Sequence, residues 1–126
     1  MGFDIYAFPY DTIDSAYNFT DDSEVAYYRT YMGGFRMMKE QGYDWFNLID
    51  AYDCYGGVSG NGNSKCITLS KLHLAYLILK DFEVTKLSSE GRDEITGHRE
   101  VLCDFMKKCI KWCKDNNKKQ ILIYFG

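Results

Sequence analysis

Proline, histidine and long apolar runs are what this chain has least of. Pro9 is its single proline, and His73 and His98 are its two histidines. Neither histidine sits in a recognisable catalytic or metal-binding spacing, so a Ser–His or Cys–His nucleophile has almost no base to draw on. One proline, with no Ser/Pro-rich or repeated stretch, excludes a long flexible linker or a disordered tail. No apolar run approaches the roughly 18 to 20 residues that span a bilayer, and the N-terminus lacks the basic start and apolar stretch of a signal peptide. A cytoplasmic protein with no membrane partner is therefore expected. The five cysteines, Cys54, Cys66, Cys103, Cys109 and Cys113, are odd in number and show no CxxC spacing. At least one stays unpaired within the chain, and reduced thiols in a reducing compartment fit best. No catalytic triad, phosphate loop or nucleic-acid motif is present, and no cofactor is expected.

What the chain has is aromatic: 11 Tyr, 8 Phe and 2 Trp, concentrated in the first 55 positions, which marks that segment as the expected working surface. Its 126 residues, 46% hydrophobic and 26% charged, suit one compact domain over residues 1–126 with a real core. The net charge of −3 hides an asymmetry. Residues 1–63 carry 10 Asp/Glu against 3 Lys/Arg, whereas residues 64–126 carry 12 Lys/Arg against 8 Asp/Glu. The halves can attract each other within one fold, or the acidic half can face a basic partner.

Alternation from Gly2 to Phe8 predicts a first strand with Phe3, Ile5 and Ala7 on one side. After a polar stretch, Asp22 or Ser23 is a cap for a helix from about Glu24, in which Val25, Tyr28, Met32 and Phe35 form one stripe. Gly33-Gly34 weakens that helix and predicts a break or a close backbone contact. Trp45, Leu48, Ile49 and Tyr52 again have helical spacing, and the glycine-rich segment from Gly56 to Asn63 is a loop. Thr68 caps a helix to about Phe82, with Leu69, Leu72, Tyr76 and Leu79 inward. The longest amphipathic segment places Ile95, Leu102, Phe105, Cys109, Trp112 and Cys113 on one broad face and ends at Asn116-Asn117. Gln120 to Phe125 reads as a strand buried on both faces. Because two strands alone are marginal, a third is expected from residues 10–20 or 62–68. The fold class is α+β: a small sheet including both terminal strands, packed with about four helices.

Met1-Gly2-Phe3-Asp4-Ile5-Tyr6 resembles the GFDIYG or GFDLYG opening of a loose group of small uncharacterised proteins from bacteria and their phages. Tyr27-Tyr28-Arg29, Phe35-Arg36, Gly56 to Asn63, Thr68 and Ile121 to Phe125 look like counterparts of the group's later segments. The chain departs from it with Ala7 where the group has glycine and Met32-Gly33-Gly34 where it has tryptophans. The resemblance implies a bacterial or phage source and an architecture. It transfers no activity and no catalytic residue.

Several groups of residues carry candidate chemistry. Arg29 and Arg36, seven apart, share a face if the first helix runs through the glycines, with Tyr28 and Phe35 beside them; planar guanidiniums hold phosphate or carboxylate while aromatics stack a base. The plainer reading is pairing with the acidic half of the chain. Gly57, Ser59, Gly60 and Asn61 of the glycine loop can turn backbone amides toward an anion, though the loop matches neither a P-loop nor GxGxxG and also reads as a surface turn. Cys109 and Cys113, with His98 or His73, have ligand spacing but lie in an apolar stripe, where free cysteine acts as a small hydrophobe. Asp44, Asp50 and Asp53 gather hard oxygen ligands or form a solvated acidic face. Cys54 and Cys66 are the nearest approach to a nucleophile. Lys107, Lys111, Lys114 and Lys118 stripe the last helix opposite its apolar side; with no aromatics interleaved, this reads as a solvated face rather than a nucleic-acid surface. The leading expectation is a small non-catalytic binding protein for an anionic small molecule or nucleotide-like ligand, using Tyr28, Arg29, Phe35, Arg36 and the glycine loop. The alternative is a protein-interaction module, such as a phage inhibitor whose acidic face docks on a basic host protein; a minor hydrolase-type enzyme comes third.

Overall fold

The structure, a computed structural model, describes residues 3–9, 25–30, 32–54, 62–81 and 89–126. In chain order it contains β1 (Phe3–Phe8), β2 (Ala26–Thr30), α1 (Met32–Glu40), α2 (Trp45–Leu48), a 3-10 turn (Tyr52–Cys54), β3 (Ser64–Thr68), α3 (Leu69–Lys80), α4 (Ser89–Asp115) and β4 (Gln120–Phe125). The strands form one antiparallel sheet in the order β2-β1-β4-β3. This is the α+β arrangement expected, with both terminal strands side by side in the middle of the sheet.

Strand side chains alternate between faces, and the two faces differ in chemistry. Ile5 and Ala7 of β1, Ala26 of β2, Ile67 of β3 and Ile121, Ile123 and Phe125 of β4 all enter one core with Leu72, Ala75 and Leu79 of α3 and Leu102, Phe105, Cys109 and Cys113 of α4. The opposite face carries Tyr6, Phe8, Tyr27 and Tyr124, whose rings gather around Tyr6 at centroid distances of 6.1, 4.5 and 5.9 Å. The abundant aromatics are thus divided between a core set and an outer-face set.

One expected element is replaced. Residues 26–30 form a strand, not the start of a helix, with Ala26, Tyr27, Tyr28 and Arg29 opposite Ala7, Tyr6, Ile5 and Asp4. Tyr-Tyr-Arg-Thr-Tyr is rich in strand-favouring side chains, and cross-strand pairing of Tyr27 with Tyr6 outweighs the helical spacing of Val25, Tyr28, Met32 and Phe35. The helix starts only at Met32. Of the two segments expected to supply a further strand, 62–68 does so as β3; the other, 10–20, lies outside the described residues, as do the expected Asp22 or Ser23 cap and Phe82.

Three helices end by one device. At α1, Gly42 N–H donates to Lys39 O and Tyr43 N–H to Met38 O; at α2, Asp50 donates to Asn47 O and Ala51 to Phe46 O; at α4, Asn117 donates to Lys114 O and Lys118 to Cys113 O. The residue that reverses the chain is left-handed in each, with φ of 98° at Gly42, 59° at Asp50 and 54° at Asn117. This is the Schellman pattern, which satisfies the last carbonyls of a helix and turns it sharply. It stops α4 at the expected Asn116-Asn117 and delivers β4 directly into the sheet.

Gly33 and Gly34 do not break α1. Gly34 instead lets the helix approach His98 of α4, since a Cβ there would lie 2.5 Å from the ring Nδ1 and 2.7 Å from Cγ. His98, only 3% exposed, shares a hydrogen bond of 2.8 Å with Thr30 Oγ1 and meets the Phe35 ring edge-on at 4.5 Å. Burial pushes its pKa down from 6.5 to about 4, so it is neutral at physiological pH.

Candidate functional site

The residues expected to bind ligand are not on one helix face. Tyr28 and Arg29 are neighbours on β2, so they point to opposite sides of the sheet. Tyr28 turns inward, edge-on to Phe105 at 6.0 Å, and its hydroxyl accepts a hydrogen bond from Lys108 Nζ at 2.9 Å. Arg29 is exposed on the outer face beside Tyr27. The Tyr27 hydroxyl donates to Asp4 Oδ1 at 2.8 Å, and that bond raises its pKa to about 12. Phe35 is 4% exposed and packs on Trp45 and Phe46 at 5.4 and 4.9 Å, which makes it a core residue. Phe35 and Arg36 share a recess with Lys39, Asp44 and Tyr52, but its volume is about 10 Å³, room for one water at most. Gly57, Ser59, Gly60 and Asn61 lie outside the described residues.

Two carboxylates of the acidic half answer cations of the basic half. Asp50 Oδ2 is 2.9 Å from Lys71 Nζ and Asp53 Oδ1 is 3.0 Å from Lys65 Nζ, and these lysines hold both carboxyl groups below their ordinary pKa. Asp44 lies 3.9 Å from Lys39. Three carboxylates facing three different lysines do not converge on a cation, and no metal-binding cluster occurs among the described residues. Cys109 and Cys113 are buried in the core, while His73 is exposed on another helix. Burial pushes the thiols of Cys54 and Cys66 up, away from the thiolate that a nucleophile needs.

A wider opening than this recess lies elsewhere, and the topology dictates it. Because β3 pairs with β4, Thr68 is opposite Gln120, so the start of α3 sits beside the turn that leaves α4. Leu69 N–H donates to Lys119 O at 2.7 Å and locks the two together. The result is a cleft of about 490 Å³ lined by Thr68, Leu69, Ser70, His73, Lys114 and Lys119. A second trough of about 270 Å³ continues along α3 and α4 between His73, Tyr76, Lys107, Ile110, Lys111, Lys114 and Asp115. The Thr68 side chain caps α3, accepting from Lys71 N at 3.3 Å, and its hydroxyl meets Ser70 Oγ at 3.3 Å. Two amides of the helix start, those of Leu69 and Lys71, are therefore used by the fold, and the polar side chains lining the cleft are Thr68, Ser70, His73, Lys114 and Lys119. Among the described residues no carboxylate lies within ion-pairing distance of Lys114 or Lys119.

Thr68 and Lys114 each stand out in the sequence, one as a cap and the other within a lysine stripe. Their convergence does not, because it depends on which strand β3 pairs with. No helix among the described residues is long and apolar enough to cross a membrane. Compared with protein-family models, with curated proteins and with solved structures, the chain matches none.

Proposed function

We propose that this chain is a non-catalytic binding protein for a small organic anion with an apolar body, seated in the cleft between the start of α3 and the end of α4. The observation that carries this reading is the cleft's size and make-up: about 490 Å³, mostly apolar surface, with the cationic side chains Lys114 and Lys119 in its lining. Small-molecule sites are concave and mostly apolar, with a few polar groups that fix orientation, and volumes of about 300–1,000 Å³ are usual. Two ammonium groups with no carboxylate partner among the described residues favour a phosphate monoester or carboxylate, and Ser70 and His73 add hydrogen-bonding capacity beside them. The raised thiol pKa values at Cys54 and Cys66 support binding without nucleophilic chemistry.

Titration calorimetry with phenyl phosphate tests this. Binding is expected with Kd in roughly the micromolar to millimolar range, and phenol, which lacks the charge, should bind at least about tenfold more weakly. The double substitution Lys114→Glu/Lys119→Glu should abolish the heat. Equal heats from the double variant and the parent protein would place the anion elsewhere and overturn the proposal.

A further inference from the structure

The exposed aliphatic side chains of the described residues are all on α3: Leu74 is 55% exposed, Ile78 40% and Leu77 38%. They lie at i, i+3 and i+4, so they form one patch on the solvent side of the helix. Single exposed leucines need no explanation, but a clustered aliphatic patch on an otherwise amphipathic helix marks a contact surface. Leu77 is one turn beyond His73, which lines the trough between α3 and α4. The patch therefore borders that trough, whose floor contains Tyr76 and the buried Ile110. Along its far wall α4 presents Lys107, Lys111 and Lys114, at spacings of four and three, with Asp115 as the single carboxylate at the end of the row. Lys107 Nζ stands 5.9 Å above the Tyr76 ring, and no carboxylate of the described residues pairs with Lys107 or Lys111.

An apolar ridge running beside a row of lysines matches one kind of occupant by shape and charge. We propose that α3 and α4 form a docking surface for an acidic amphipathic helix of a partner protein. The partner lays its apolar i, i+3, i+4, i+7 residues on Leu74, Leu77, Ile78 and Tyr76, and its Asp and Glu side chains reach Lys107 and Lys111. The sign is opposite to that expected from the net charge, because Asp50 and Asp53 of the acidic half are engaged by Lys71 and Lys65. The trough shares His73 and Lys114 with the anion cleft, but Leu77, Lys107 and Lys111, on which the test turns, lie outside that cleft's lining, so the two proposals fail separately.

The test is fluorescence anisotropy with a fluorescein-labelled helical peptide carrying leucine at i, i+3, i+4 and i+7 and glutamate elsewhere. A scrambled peptide of the same composition is the control, and variants are checked for native circular dichroism. The amphipathic peptide should bind, the scrambled one at least about tenfold more weakly, and Leu77→Glu and Lys107→Glu/Lys111→Glu should each weaken binding about tenfold or more. Absence of binding by either peptide overturns the proposal, as does equal binding of both, which would reduce the surface to unspecific charge. Two further outcomes would assign the patch to another occupant and also overturn it. One is Leu77-dependent sedimentation with phosphatidylcholine/phosphatidylglycerol vesicles in place of peptide binding; the other is a dimer of the chain that Leu77→Glu dissociates.

Discussion

Replacing glycine by alanine in a helix ordinarily stabilises a protein, by up to about 1 kcal/mol, because alanine surrenders less backbone entropy on folding. This chain offers the same substitution in two helices with opposite expected signs. At Gly97 of α4 an added Cβ meets nothing within 4 Å, so Gly97→Ala should stabilise by the full propensity difference. At Gly34 of α1 the added Cβ falls 2.5, 2.7 and 2.9 Å from three atoms of the His98 ring, about 1 Å inside normal contact. The ring cannot simply retreat, since Thr30 holds Nδ1 at 2.8 Å and Phe35 closes its flank. Overpacking costs about 1–3 kcal/mol and loss of the Thr30 hydrogen bond about another 1, against a propensity gain of at most about 1, leaving Gly34→Ala destabilised by roughly 2 kcal/mol. Urea unfolding of both variants, with unchanged slopes, measures the difference directly. In a His98→Ala background the same Gly34→Ala change should lose its penalty, because the two sites are coupled. If Gly34→Ala stabilises the parent protein as Gly97→Ala does, the α1–α4 contact described above is wrong.

His98 also sets an acid response. Its pKa is about 4 in the folded chain against 6.5 when unfolded, so the unfolded state binds the extra proton. Stability should be full above pH 6.5 and fall as pH drops from 6.5 through 4, by about 3 kcal/mol in all. Urea midpoints across that range should show the slope, and His98→Gln should flatten it; an unchanged slope in that variant would exclude His98 as its source. The cysteines should alkylate in two groups: half-buried Cys66 and Cys103 with iodoacetamide in the native state, and buried Cys54, Cys109 and Cys113 only on unfolding. Mass mapping after a short exposure checks this, and prompt modification of Cys109 would contradict the core assignment. The ion pairs Lys65–Asp53 and Lys71–Asp50 are solvent-exposed, so double-mutant cycles on urea unfolding should detect little or no coupling in either, and a strong coupling would contradict their exposure.

Much of the fold is legible in the sequence where pattern and local chemistry agree. Ile121–Phe125 is an unbroken apolar run with no room for a helix, and with Gln120 it is the interior strand β4. Thr68 ahead of Leu69, Leu72 and Leu79 reads as a capped amphipathic helix because cap and stripe are both local. Residues 25–35 mislead for the opposite reason. Their apolar spacing fits a helix, while Tyr27-Tyr28-Arg29-Thr30 becomes a strand only because β1 offers an edge to pair with, and that is tertiary information. The strand-favouring aromatic run was the available signal. The site is less legible than the fold. Tyr28 and Phe35 are drawn into packing, and the cleft arises from two segments far apart in the chain, Thr68–His73 and Lys114–Lys119, brought together by the β3–β4 pairing. Asn117 shows the link between the levels, since its left-handed turn ends α4 and aims the chain past Lys119 into β4.

The most direct test of an anion site at the junction of α3 and α4 is a heteronuclear NMR titration of the isotope-labelled chain with phenyl phosphate. Amide shifts should saturate together and cluster in Thr68–His73 and Lys111–Lys119, with Arg29 and Arg36 unmoved. Shifts centred on Arg29 or Arg36, or none at Ser70 and Lys114 up to about 10 mM ligand, would contradict it.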